Sequence, residues 1–283
     1  MADITAAPRH PQIVYRHSLA VRLTHWVNAL CLLVLLLSGL QIFNAHPALY
    51  LGNTSEPDRA ILSMDAVQRD DGTYAGITTI GSHTFDTTGV FGLSYGPGGN
   101  LEGRGFPHWV TLPSYRDLAT GRRWHFFFAW LLVLNGAAYL AYAAWSGHVR
   151  RDLAPTRSQL RHIGHSIWEH VRFRFPKGEE AKSYNVLQKL AYLAVIFGLL
   201  PLIVLTGLTM SPAMDAAFPF LLDIFGGRQS ARTIHFLCAS AITLFVVVHI
   251  VMVLASGAWN NIRSMITGRY VIAPEARETT DGK

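Results

Sequence analysis

The sequence predicts an all-α integral membrane protein, a four-helix bundle with both termini cytoplasmic and a long outer loop between helices one and two. Three observations predict it. Of the 283 residues, 50% are hydrophobic and only 15% charged, against roughly a quarter charged in an ordinary globular chain. The apolar residues gather in four runs, at about 23–43, 124–145, 190–210 and 234–255, none of which contains Asp, Glu, Lys or Arg. Each run is close to the roughly 20 residues that cross a ~30 Å hydrocarbon core. Finally, sixteen Lys and Arg lie in the two tails and the connection between runs two and three, and eight in the other two connections. The positive-inside rule puts the sixteen in the cytoplasm.

These features exclude several classes. A chain this apolar and aromatic does not stay disordered in water. Two cysteines, Cys31 and Cys238, both inside apolar runs, make no disulfide scaffold. The net charge of +6 is a topology signal, and no basic helix with interleaved aromatics points to nucleic acid.

In chain order, 1–22 is a cytoplasmic tail and 23–43 the first span. It reads as a retained span, since some 22 residues precede it and it has no convincing small-residue cleavage site. Segment 44–122 is an outer, periplasmic loop far longer than a connection needs. It is rich in glycine and turn formers, yet Phe85, Phe91, Tyr95, Phe106, Trp109 and Tyr115 give it material to pack as a cap or docking surface. Span 123–145 comes next, then a cytoplasmic loop, 146–188, with an amphipathic helix (SQLRHIGHSIWEHVRFRF) ended by Pro176. Spans 189–210 and 234–256 flank a short outer loop, 211–233, and 257–283 is the second cytoplasmic tail. The protein is therefore placed across a membrane, with lipid as its first partner.

Four of the 13 histidines lie in or at the spans: His25, His125, His235 and His249. An ionisable side chain there is costly and marks a functional site. RLTHW at 22–26, RRWHF at 122–126 and RTIHF at 232–236 share the pattern Arg-x-x-His-aromatic. Residues i and i+3 share a helical face, so Arg22, Arg122 and Arg232 can sit at the headgroup level while each histidine points inward. That suits an apolar ligand with carboxylates at the rim, such as haem with its propionates. His235 and His249 are 14 residues apart, within about 40° of one face and about 21 Å apart along the axis. Span direction then pairs the four by depth: His25 with His249 at the inner level, and His125 with His235 at the outer. Two b-type haem irons, each held by two histidines, account for all four.

Competing readings account for less. Polar glue between helices would explain one or two histidines, zinc would need its ligands at one level, and a proton relay normally includes carboxylates. Gly39 leaves helix one without a side chain where the outer haem plane would pass, and Gly136 and Gly207 lie mid-helix; ordinary small-residue packing explains any one of them equally well. His162, His165 and His170 read as a solvated face, and His46, His83 and His108 as loop residues.

The four spans, the HW at the start of helix one, His125 at the start of helix two and the His235/His249 pair resemble the four-helix di-haem cytochrome b subunits found with nickel–iron hydrogenases, formate dehydrogenases and thiosulfate reductases. The resemblance implies that the helix-four pair gives one ligand to each of two b haems. It also implies a place in a bacterial inner membrane, quinone chemistry at the cytoplasmic haem and a periplasmic redox partner of molybdenum-cofactor or hydrogenase type. YNVLQKLAY at the start of helix three is similar to that family's Asn-x-x-Gln, which makes Asn185 and Gln188 candidate quinone ligands, with Tyr184 and Lys189 nearby. The same spacing is also a capping box. A self-sufficient quinone-linked oxidoreductase and a haem-free anchor or transporter are the alternatives.

Overall fold

The structure, a computed structural model, describes residues 12–164, 168, 172 and 185–272. Its frame is four membrane-length helices, α1 (Leu19–Phe43), α2 (Leu118–Ser146), α3 (Val186–Thr209) and α4 (Arg228–Ala255). Uninterrupted apolar sequence makes them long, because in lipid a helix is the local way to satisfy every backbone donor and acceptor. Glycines in left-handed conformation end two of them, Gly147 (φ 68°) after α2 and Gly257 (φ 106°) after α4. Within α3, Pro201 has no N–H for the carbonyl one turn earlier, and the helix takes a π turn at Val195–Leu199 just before it. Large side chains such as Leu33, Phe127, Leu134, Leu237 and Leu244 are more than half exposed, as lipid-facing residues are.

The chain divides into two compact units, one formed by Met1–Trp26, Ala137–Ile196 and Phe245–Lys283, the other by Val27–Gly136 and Phe197–Leu244. In the first, strand β1 (Gln12–Tyr15) pairs antiparallel with a strand from the far end of the chain, Arg269–Ile272, with Gln12 opposite Ile272. A short helix, α5 (Ala258–Thr267), precedes that second strand, and Asn260 ties the two by donating to the Val271 carbonyl and accepting from its N–H. The start of α1 is fastened here as well. Trp26 Nε1 donates to the Met265 carbonyl at 3.1 Å, Arg22 donates to the Ile266 carbonyl, and Tyr142 bonds Ser18 at 2.8 Å. His17, 8% exposed, has its pKa lowered to about 4 by burial and by the neighbouring Arg16.

The second unit corrects the all-α expectation. Between α1 and α2 the chain forms β2 (Ala48–Leu49), β3 (Leu62–Gln68), β4 (Tyr74–Ile80) and β5 (His83–Asp86) in one antiparallel sheet, and β6 (Gly92–Tyr95) with β7 (Leu101–Arg104) in a hairpin; the far-end strand above is β8. Turn chemistry sets the register. The Asp71 carboxylate takes the Thr73 N–H and hydroxyl at 2.9 and 2.6 Å, with Gly72 at φ 81°, and Gly81-Ser82 makes a two-residue loop before β5. β4 and β6 approach so closely that a Cβ on Gly76 would lie 2.3 Å from the Phe91 carbonyl oxygen.

This β layer is stitched to helix ends of its own unit. Phe43, Leu49 and Met64 form a core with Phe91, Phe106 and Phe236 against it. Asn44 clamps Phe106 by both amide groups, at 3.1 and 2.7 Å. At the start of α4, Thr233 donates to the Tyr50 carbonyl at 2.6 Å and the Ser230 hydroxyl accepts from Gly52 N at 2.8 Å.

Of the expected amphipathic helix, the described part is a turn, Arg157–Arg161, capped by Thr156 and Gln159, with Ile163, Gly164 and Trp168 also helical. Most of the segment between that turn and α3, with His165, His170, Pro176 and Tyr184, lies outside the described residues, as do 1–11 and 273–283.

Candidate functional site

Each unit brings two of the four span histidines together. In the second unit the ring centres of His125 and His235 are 6.3 Å apart, with the planes at 60°. In the first, His25 and His249 are also 6.3 Å apart, at 62°. At this tilt the rings of a couple are not stacked, and at this separation their nitrogens are too far apart to hydrogen-bond each other. Two imidazoles bound end-on to one metal fit this spacing well. Metal–nitrogen bonds of roughly 2 Å and about 1.1 Å from nitrogen to ring centre put the centres about 6.3 Å apart. Among the described residues no three His, Cys, Asp or Glu side chains converge. Each couple would hold a metal whose remaining positions are filled by a macrocycle, as in haem.

The surroundings of the second unit's pair settle which nitrogen is free. His235 Nδ1 lies 3.0 Å from the Ile203 carbonyl and 3.2 Å from the Thr206 hydroxyl. A carbonyl only accepts, so Nδ1 carries the proton and Nε2 keeps its lone pair. His125 meets a hydroxyl in the same way. Its Nδ1 is 3.1 Å from the Ser38 hydroxyl, which itself donates to the Val34 carbonyl at 2.6 Å, and the Leu35 carbonyl faces the same ring. Orientation of a ligating imidazole through its other nitrogen is the usual arrangement at metal sites.

Gly39 and Gly207 serve these rings. A Cβ on Gly39 would meet His125 Cε1 at 3.4 Å, and one on Gly207 would meet His235 Cε1 at 3.3 Å. Each glycine lets a neighbouring imidazole lie close against the helix backbone, more tightly at Gly207 than at Gly39. Gly136 has no neighbour within 4 Å of its Cβ position.

The first unit's pair is framed by aromatics. Phe245 stacks on His249 at 5.9 Å, Tyr192 meets it edge-on at 6.4 Å, and Trp26 does the same to His25 at 5.4 Å. Asn185 and Gln188 are both engaged in a capping box at the start of α3, with Asn185 Oδ1 accepting from Leu187 N at 3.0 Å and Gln188 Oε1 from Asn185 N at 3.2 Å. Their amide NH2 groups are not used by the cap. Lys189, 6% exposed, reaches the Ala154 carbonyl and Gln159 Oε1 at 3.4 Å each.

The three arginines differ in setting. Arg22 keeps a buried Nε with no partner among the described residues. Arg232 lies over the Phe43 ring and donates to the His46 carbonyl. Arg122 is exposed beside Phe126. The hydroxyls of Ser38 and Thr206 are the site residues that sequence reasoning missed. Their only signal is a Ser-Gly and a Thr-Gly dipeptide inside apolar runs.

Four membrane-length helices describe a multi-pass membrane protein, and its paired histidines suit a haem. A family model for prokaryotic cytochrome b561 matches residues 16–268, and the chain belongs to that family, whose members bind haem b and carry electrons in membranes. A protein of Azospira oryzae named putative protein-methionine-sulfoxide reductase subunit YedZ1 is 34% identical over 147 residues, 52% of this chain and 70% of its own length. No solved structure matches the chain.

Proposed function

We propose that this chain is the di-haem cytochrome b subunit that carries electrons across a bacterial inner membrane, between the quinone pool and a redox enzyme on the periplasmic side. The observation that carries the reading is the pair of matched histidine couples, 6.3 Å apart in both cases. Haem iron cycles between ferric and ferrous states and so supplies one-electron chemistry. The protein's own residues provide ligation through the imidazoles of His25 and His249 and the Nε2 atoms of His125 and His235, and positive charge for propionates from Arg22, Arg122 and Arg232. With 16 of the 24 Lys and Arg on the cytoplasmic side, the β layer faces the periplasm, where a partner would meet it. The relative's name favours a reductase as partner over a hydrogenase. A mild-detergent pull-down of the tagged chain should bring down a periplasmic oxidoreductase, and quinol should reduce the bound haem. Quinol-inert haem and a chain that always purifies alone would refute both halves.

Arg232→Gln should lower the midpoint potential of the haem held by His125 and His235, because losing a positive charge disfavours the more negative reduced state. An unchanged potential would return Arg232 to anchoring the His46 carbonyl.

The quinone is proposed to bind near His25 and His249, against the free amide NH2 groups of Asn185 and Gln188. Removing either side chain should then have two effects. The cap loss costs about 0.5–2 kcal/mol of stability, and quinol reduction of the haem slows. Stability loss with normal quinol kinetics would leave these residues as a cap alone.

A further inference from the structure

The second unit contains one device twice. On α1 it is the Leu35 carbonyl, the Ser38 hydroxyl three residues on and Gly39 at the fourth, all turned to His125. On α3 it is the Ile203 carbonyl, the Thr206 hydroxyl three residues on and Gly207 at the fourth, all turned to His235. The spacing has a physical reason. Residue i+4 lies one turn above the carbonyl at i, so a glycine there removes the Cβ that would keep a neighbouring ring away from that oxygen's second lone pair. Each hydroxyl spends its single proton on the carbonyl four residues back, Val34 at 2.6 Å for Ser38 and Leu202 at 2.8 Å for Thr206. What it offers the imidazole is a lone pair. Both hydroxyls belong to residues buried to 0% exposure, so water does not compete.

We propose that Ser38 and Thr206 are positioning residues that set the redox potential of one haem. By accepting from Nδ1–H they push electron density into the ligand imidazole, which favours ferric iron and lowers the potential. The proposal rests on His125 and His235 being axial ligands. Among the described residues no hydroxyl is seen to bond His25 or His249, whose ring neighbours are Trp26, Phe245 and Tyr192, so the other haem is untouched by the device.

The test uses the full chain in detergent or nanodiscs, with Ser38→Ala, Thr206→Val, the double variant, and Thr206→Ser as the conservative control. Potentiometric titration of the b bands should show one midpoint moving upward in each hydroxyl-free variant, further in the double, while the second midpoint stays in place. The low-spin g values of that haem should move with it, and Thr206→Ser should restore the parent potential. Unchanged midpoints and g values in the double variant, with both haems present, would overturn the proposal and leave the hydroxyls as back-bonds within their own helices. Equal shifts of both haems would overturn it too. The underlying reading fails separately, if His125→Ala retains every haem of the parent.

Discussion

His249→Ala is expected to remove one b haem from each chain and leave the second with its ligands intact. The expectation comes from where the couples lie. His25 and His249 belong to one compact unit and His125 and His235 to the other, so no side chain of the surviving couple is shared with the lost one. Alanine leaves His25 as a lone donor in an aromatic setting, and a single imidazole does not supply the second axial bond that a six-coordinate b haem needs. A pyridine haemochrome assay should fall from two haems per chain to one. His235→Ala should give the same count with the complementary spectrum, because it removes the other couple. One haem per parent chain would refute the two-site reading. Loss of both haems from an inserted, folded variant would show that the couples are not independent.

Much of this architecture is legible in the sequence because lipid makes strong demands on it. A charge-free stretch of some 20 residues has few structures open to it in a bilayer, and histidines 14 residues apart on a helix share a face by geometry alone. The β layer is harder to read. LSMDAVQ and YAGITTI alternate weakly, and their sheet is held by Gly76 and Gly92, whose use appears only when β4 and β6 lie together. Pairing β1 with β8 joins opposite ends of the chain, Gln12 with Ile272, and no local pattern announces it. Ser38-Gly39 and Thr206-Gly207 escape sequence reasoning for a related reason. A small residue beside a hydroxyl is ordinary in a membrane helix, and it acquires meaning only when a histidine of the next helix is seen to enter the gap. Asn185 and Gln188 show the opposite limit: one spacing fits a cap and a ligand site alike, and the observed cap leaves the amide donors for the second role.

Arg104→Met is expected to cost about 3 kcal/mol, the upper end of the penalty for leaving buried polar groups without their donor. Arg104 is 1% exposed, at the end of β7. Its Nε donates to the Phe106 carbonyl at 2.9 Å, and its Nη atoms reach the Thr111 hydroxyl at 3.0 Å, the Ser114 carbonyl at 3.2 Å and Glu102 at 3.3 Å. Burial pushes the guanidinium pKa down, opposed by Glu102, yet arginine stays charged at any physiological pH. One planar fork thus organises the turn from β7 into 105–114, the stretch that carries Phe106 into the aromatic core and leads on to α2. Methionine fills similar space without a donor, so the two carbonyls and the Thr111 hydroxyl lose a buried partner together. Arg104→Lys should be intermediate, since one ammonium cannot span the same directions as the fork. Pulse proteolysis in detergent, with cleavage mapped between β7 and α2, reads this segment directly, and haem content measured alongside separates local loosening from general collapse. A penalty below about 1 kcal/mol for Arg104→Met would mean that Asn44 and the aromatic core hold the layer without the arginine.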